Sequence, residues 1–100
     1  METLKETLKR VLAGYTGEAL NGYSYLTHNP EETVFSSISI GKLDDKQFAF
    51  TDLIVRLVAD RIVIDHDAND KLLVDALLEA GVPREQIVLA YAGELAEAQT

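Results

Sequence analysis

The sequence has no cysteine and no tryptophan, only two prolines, and 9 basic residues against 17 acidic ones in a length of 100. Without cysteine, disulfide bonds and thiolate chemistry are excluded. No apolar run approaches the roughly 18 residues of a membrane-spanning helix, and the mixed charge of the N-terminus is unlike a signal peptide. We therefore expect a soluble cytoplasmic protein that folds as a single domain over residues 1–100.

The charge of the chain favours a protein partner over a nucleic acid. The net charge is −8, which repels nucleic acid unless the basic residues cluster on one face. Lysine and arginine are instead scattered along the sequence. We therefore expect no direct binding to nucleic acid, and an acidic surface of this kind suits a basic partner protein.

Two helices are predicted, one near the N-terminus and one in the second half of the chain. Thr3 begins the first helix as its N-cap, and Glu6 completes a capping box. The second helix is predicted over residues 69–80, between two short β-rich runs at residues 61–66 and 87–91. Gly81 supplies the left-handed residue that ends this helix, and Pro83 prevents its continuation. Over residues 3–15, apolar side chains recur on one helical face: Leu4, Leu8, Val11, Leu12 and Tyr15.

Three strands are predicted before the second helix, the third of them at residues 61–66. Residues 33–40 alternate between apolar and polar, whereas residues 41–47 are typical of an exposed loop. Residues 47–59 form a long strand, and Asp60 is expected in the left-handed region of the turn that follows. Residues 17–32 carry turn signals and are predicted to be irregular. If they are extended, Tyr23 and Tyr25 point the same way and either pack over the end of the core or form a binding surface.

These elements predict an α+β fold in the order α-β-β-β-α-β. The first three strands are joined by connections too short for crossovers, so they should be antiparallel. Two helices on one face of this sheet make a two-layer sandwich.

The strand at residues 47–59 is the predicted contact surface. Both of its faces are largely apolar, and one of them also carries charge, so we expect a homodimer through that face. Asp52 and Arg56 are expected on the same side but well apart, so each should find its ionic partner on a neighbouring strand or subunit. The predicted interface residues are Phe48, Phe50, Asp52, Ile54, Arg56 and Val58.

Only one cluster in the sequence invites a metal or catalytic interpretation: Asp65, His66 and Asp67. Their side chains are of the types that bind zinc or manganese. With His28 as a distant partner, they define an alternative function as a small metal-dependent hydrolase. On a strand, however, His66 faces away from both aspartates. The favoured interpretation is that Asp67 or Asn69 caps the second helix. Nothing assembles a nucleophile, a base and an oxyanion stabiliser, so we predict no enzyme, no catalytic residue and no cofactor.

Residues 61–91 resemble the XisI family, the fdxN element excision controlling factors found mainly in cyanobacteria. The hallmark of that family is a strand that ends in a His-Asp-like step, then a helix rich in Leu and Ala. A segment of the form Ala-Gly-x-Pro-Lys/Arg-Glu-x-Ile-Val-Leu follows. Here His66 and Asp67 match the step, and residues 80–89 match the segment as AGVPREQIVL. Because the chain lacks the tryptophan that members carry in their middle strands, it resembles a divergent member.

The resemblance implies a non-catalytic accessory role in the programmed excision of a DNA element. The implied partners are a nuclease-like protein of the XisH type or a site-specific recombinase. The resemblance carries over no enzymatic activity, no catalytic residues and no cofactor.

Overall fold

The computed structural model describes residues 2–19 and 21–94. Two α-helices and six strands follow one another in the order α1, β1, β2, β3, β4, β5, α2, β6. Short 3₁₀ turns follow α1 and flank β6. The helices are α1 (Leu4–Leu12) and α2 (Leu73–Glu79), and the strands are β1 (Gly17–Ala19), β2 (Gly22–His28), β3 (Val34–Leu43), β4 (Lys46–Val58), β5 (Arg61–Asp67) and β6 (Ile87–Leu89).

The strands form one sheet whose spatial order is the order of the chain. Neighbouring strands from β1 to β5 are antiparallel, whereas β5 and β6 run parallel and are joined through α2. This arrangement confirms the predicted α+β fold with two helices. The predicted element order is wrong in one respect, because five strands precede α2 where three were expected. Neither helix in the described part of the chain is long and apolar enough to cross a membrane.

The two additional strands, β1 and β2, occupy the segment that was predicted to be irregular. Tyr23 of β2 lies opposite Ile40 of β3, and Tyr25 lies opposite Ile38. The two tyrosine rings therefore share one side of the sheet, with centroids 4.8 Å apart. Gly22 is needed at the start of β2, because a side chain there would meet the Ile40 carbonyl oxygen at 2.1 Å. The turn signals on either side of β2 mark where the strand ends and do not interrupt it.

The connection between β3 and β4 is a two-residue hairpin turn instead of the predicted loop over residues 41–47. Asp44 and Asp45 have φ angles of 51° and 66°, and positive values at both central residues are typical of the type I′ turn. Aspartate tolerates this region because its side chain is short and polar. In the turn from β4 to β5, the residue with a positive φ is Ala59, at 56°. The prediction that Asp60 takes the left-handed conformation is therefore wrong.

The hydrophobic core lies between the helices and one face of the sheet, which we call the helix face. Leu8 and Leu12 of α1 and Leu73 and Leu77 of α2 are fully buried there. Burying a side chain of this size stabilises the fold by about 1.5–3 kcal/mol. The strand residues that complete this core are Phe35, Leu53, Val55, Ile62, Ile64 and Ile87.

The start of α1 and the end of α2 agree with the sequence signals. Thr3 is the N-cap of α1, and its side chain and that of Glu6 form the reciprocal capping box. Helix α2 is shorter than predicted and begins at Leu73. Its first backbone N–H is held from outside the helix by Asp67, whose Oδ2 accepts from the Leu73 nitrogen at 2.6 Å. Gly81 follows the helix with a φ of 96°, as predicted.

Two β-bulges change the course of the sheet. Ser37 of β3 lies opposite Leu53 of β4, but the next residue of β3, Ile38, lies opposite Thr51. Asp52 is therefore an extra residue in β4. In β5, Asp65 is extra in the same way, between the partners of Ile54 and Val55. A bulge shifts the alternation of side chains along its strand. The inward and outward sets of β4 therefore differ on the two sides of Asp52.

Candidate protein-contact surfaces

The bulge at Asp52 divides the six residues predicted as one interface. Beyond the bulge, Ile54, Arg56 and Val58 alternate with the buried core residues of β4 and lie on the outer face, the side of the sheet opposite the helices. Before the bulge, Phe50 lies opposite Ser39 and Phe48 opposite Gly41, on the helix face. The expectation that all six residues share one face is therefore wrong. The bulge arises from the pairing of β4 with β3, and the sequence of β4 alone does not reveal it.

Phe48 and Phe50 lie on a part of the helix face that the helices do not reach. Their rings are stacked with centroids 5.7 Å apart, and Phe50 is 53% exposed. Together with Leu43 they line an open groove of about 580 Å³. Apolar side chains of this size are normally buried, so this end of the β3–β4 hairpin has the character of a contact surface.

The outer face carries a second apolar surface, the tyrosine patch, formed by Tyr23, Tyr25, Ile38 and Ile40. Tyr25 is 47% exposed and Ile40 is 36% exposed. Elsewhere on this face, Ala90 of the 3₁₀ turn Ala90–Ala92 packs against Val63 and Val88. An antiparallel sheet that turns one face to water usually has polar residues there. The tyrosine patch departs from that pattern.

Arg56 and Asp65 form a bidentate ion pair across β4 and β5 on the outer face. The guanidinium donates from Nε to Asp65 Oδ2 at 2.6 Å and from one terminal nitrogen to Oδ1 at 3.0 Å. The predicted partner of Arg56 on a neighbouring strand is thereby confirmed. Both side chains are about a third exposed, so we expect the pair to fix local geometry more than to stabilise the fold.

Asp52 has a different partner, in a chain of hydrogen bonds that the sequence analysis missed. Ser39 donates its hydroxyl to Asp52 Oδ2 at 2.5 Å. The Ser24 and Ser39 hydroxyl oxygens lie 2.8 Å apart. These groups come from three neighbouring strands, so only the strand register brings them together. Asp52 is 9% exposed, and the Ser39 hydrogen bond provides a donor for one oxygen of its buried carboxylate.

The metal candidates Asp65, His66 and Asp67 do not converge. Asp65 is engaged by Arg56 on the outer face, whereas Asp67 turns to the other side and accepts hydrogen bonds from Asn69 and from the N-terminus of α2. His66 is exposed, with Nε2 3.0 Å from the Thr51 carbonyl oxygen. The prediction that Asp67 or Asn69 caps the second helix is confirmed for Asp67 in part: its carboxylate binds the first backbone N–H of α2, although Leu72 holds the N-cap position.

His28 lies too far from His66 to share a metal ion with it. It ends β2, while His66 is in β5, so two strands separate them. At about 4.8 Å between neighbouring strands, the two backbones are roughly 14 Å apart. His28 Nδ1 lies 2.8 Å from the Asn29 carbonyl oxygen. Within residues 2–19 and 21–94, no three His, Cys, Asp or Glu side chains are grouped to hold a metal.

Tyr15 connects the end of α1 with the segment before α2. Its hydroxyl donates to the Lys71 carbonyl oxygen at 2.9 Å. Burial, together with the negative charges of Asp67, Asp75 and Glu79, raises the pKa of Tyr15 to about 12. The protonated hydroxyl is therefore favoured, which suits a structural hydrogen-bond donor and not a proton acceptor.

The motif at residues 80–89 builds the connection from α2 into β6. Arg84 donates to the Ile87 carbonyl oxygen at 2.7 Å and to Glu94 Oε2 at 2.8 Å. Glu94 Oε1 in turn accepts from the Leu89 backbone nitrogen at 2.8 Å. This network holds the sheet's parallel edge in place. A model of the XisI protein family matches residues 1–100 of this chain.

The chain belongs to the XisI family. Two solved structures, both from Anabaena variabilis ATCC 29413, resemble this XisI-family chain. One is a XisI-like protein, 20% identical, with a TM-score of 0.64 over 86% of this chain and 78% of its own. The other is the fdxN element excision controlling factor XisI, 17% identical, with a TM-score of 0.63 over 96% of this chain and 94% of its own. No curated protein matches the chain.

Similarity at these identities shows that the XisI fold is shared, and the residues that carried the sequence resemblance explain why. In this XisI-family chain, Asp67 holds the start of α2, and residues 80–89 hold β6 against β5. The family motif thus specifies how the last third of the domain packs.

Proposed function

We propose that this XisI-family chain is a non-catalytic accessory factor in the excision of a DNA element. In this proposal it acts in the cytoplasm by contacting a protein, either an XisH-type nuclease-like protein or a site-specific recombinase. The tyrosine patch is the observation that carries the proposal. Tyrosine is enriched at protein interfaces, because its ring supplies contact area while its hydroxyl stays hydrated.

The distribution of charge supports a protein partner instead of DNA. Tyr23, Tyr25, Ile38 and Ile40 carry no charge at neutral pH, whereas the whole chain has a net charge of −8. A patch without lysine or arginine supplies no positive charge to neutralise phosphate groups, and the acidic surroundings would attract a basic protein and accelerate the encounter.

The proposal is tested with the purified XisH-type protein encoded in the same genome, by calorimetric titration against wild type and two variants. Ile40→Glu places a charge in the tyrosine patch and should weaken binding by about tenfold or more. Leu78→Glu is the matched control, because Leu78 is an aliphatic residue of similar exposure (41% against 36%) on α2. It should bind as wild type does.

Two results would contradict this assignment. If wild type does not bind the XisH-type protein or the recombinase, the accessory role through these partners is wrong. If both variants weaken binding equally, the tyrosine patch is not the contact. A gel-shift assay with duplex DNA at low salt should show no complex, since direct binding would appear there first and weaken as salt rises.

The alternative of a metal-dependent hydrolase requires His66, Asp67 and His28 to face a common point. Asp67 is occupied by the start of α2, and His28 is two strands removed from His66. The geometry therefore favours the accessory role over hydrolysis.

A further inference from the structure

The first half of β4 has an edge with no neighbouring strand in the described part of the chain. Strand β5 pairs with β4 only from Leu53 to Val58. Residues 46–50 therefore have β3 on one side and no described strand on the other, and we call them the free edge. Exposed edges of this kind readily add a strand from another chain.

The hairpin turn determines which backbone groups the free edge offers. Lys46 and Leu43 flank the two-residue turn and form the first hydrogen-bonded pair of the hairpin. Hydrogen-bonded and non-hydrogen-bonded pairs then alternate, so Gln47 and Ala49 direct their N–H and C=O groups away from β3. Among residues 2–19 and 21–94, no hydrogen bond engages these four groups.

We propose that the free edge pairs with the free edge of a second copy, forming an antiparallel dimer about a two-fold axis at Phe48. In this register Gln47 of each copy lies opposite Ala49 of the other, and their four N–H and four C=O groups make four hydrogen bonds. The free edge is five residues long and symmetric about Phe48, so each copy supplies what the other needs. A two-fold interface requires such self-complementarity.

The side chains of the free edge suit this pairing. Phe48 would face Phe48 of the second copy, at the short Cβ separation of about 4.5–5.5 Å that aromatic pairs exploit. Lys46 would lie across from Phe50 of the second copy, on the same face, where an ammonium group and a ring attract each other. The exposed rings on the helix face would then cover one another.

Charge favours a second copy over the other occupants of this surface. Between residues 42 and 50, at the end of the β3–β4 hairpin, Lys42 and Lys46 balance Asp44 and Asp45, so this segment is neutral while the rest of the chain carries the whole net charge of −8. Two copies of a strongly acidic chain repel each other least where such a neutral segment meets its own copy, whereas a basic protein or a nucleic acid gains no electrostatic attraction there. A five-residue contact is smaller than the roughly 20–30 residues per partner of a standard interface, so we expect a concentration-dependent dimer.

The test is sedimentation velocity over a concentration series, comparing Ala49→Pro with Ala49→Ser. Proline removes the outward N–H but leaves the β3–β4 bonds, and proline is tolerated on an edge where the N–H faces solvent. Two inter-chain hydrogen bonds are lost per dimer, so association should weaken about 30-fold, equivalent to about 2 kcal/mol. Serine keeps the N–H and should dimerise as wild type does.

Two further variants keep the result interpretable if Ala49→Pro fails to fold, which circular dichroism would show. Phe48→Glu should abolish the dimer, because the two glutamates would face each other across the two-fold axis, where like charges repel. Tyr25→Glu, in the tyrosine patch, should leave it intact. A wild type that stays monomeric at every concentration, or a dimer that survives Phe48→Glu, would overturn the proposal. A dimer lost in Tyr25→Glu would place self-association on the outer face instead. The outcome is independent of binding to the XisH-type protein, which is measured separately.

Discussion

Replacing Asp67 by alanine should destabilise the protein more than any change to its neighbour His66. The Asp67 carboxylate accepts three hydrogen bonds, from the backbone nitrogens of Leu73 at 2.6 Å and Asn69 at 3.0 Å, and from Asn69 Nδ2 at 2.8 Å. Charged hydrogen bonds contribute about 1.5–3 kcal/mol each, and loss of a helix cap costs about 0.5–2 kcal/mol. Because the Asn69 groups can turn to water, we expect a net loss of about 2–3 kcal/mol for Asp67→Ala. Asp67→Asn keeps one acceptor oxygen and should lose about half as much.

Urea and thermal unfolding followed by circular dichroism would measure these differences. A loss of 2–3 kcal/mol corresponds to a fall of about 10–15 °C in Tm for a domain of this size. His66→Ala is the matched control, with an expected loss below about 1 kcal/mol, since its side chain is exposed. Equal losses in the two alanine variants would refute the capping role. A zinc-dependent rise in Tm that both variants abolish would instead restore the metal interpretation.

Two further predictions concern Tyr15 and Asp52. The pKa of Tyr15 is raised from 10.0 to about 12 by burial and nearby carboxylates, so its contribution to stability is complete below pH 10 and is lost as the pH rises through 12. Urea unfolding at pH 9 and above should show that the free energy of unfolding declines with pH, and that the decline is shallower in Tyr15→Phe than in wild type. An identical decline in both proteins would contradict this role of Tyr15. Asp52→Ala removes the acceptor of Ser39 and should cost about 1–3 kcal/mol. Ser24→Ala should cost less, and the reverse order in urea unfolding would contradict the assignment.

Local signals in the sequence were sufficient for the presence of both helices, the start of α1 and the end of α2, but not for the start of α2, which lies at Leu73 and not at residue 69. Thr3 and Glu6 form the capping box, and Gly81 takes the left-handed conformation, because each feature depends on residues within one turn of the chain. The segment around Tyr23 was misjudged because its strand is bounded by strong turn residues. A strand's alternation over seven residues, Gly22–His28, is a weaker signal than the turns that flank it.

The contact surfaces were only partly predictable, because they depend on register. Phe50 and Ile54 are an even number of residues apart and would share a face in a regular strand. The extra residue at Asp52 separates them, and its position follows from the pairing of Ser37 with Leu53 and of Ile38 with Thr51. Likewise, nothing local relates Ser24 to Asp52. Such pairings are properties of the assembled sheet and not of any one segment.

The sheet follows the order of the chain, and this bears on how the protein folds. Each of the strands β2 to β5 can pair with the strand that has just preceded it, so most of the sheet forms from hairpins without closing long loops. Hairpins form in about 1–10 μs, and proteins rich in local pairings fold quickly. The later steps join distant segments: α1 meets α2, and β6 returns beside β5. We therefore expect the hairpins to assemble during synthesis on the ribosome, with the XisI-family motif at residues 80–89 completing the fold last.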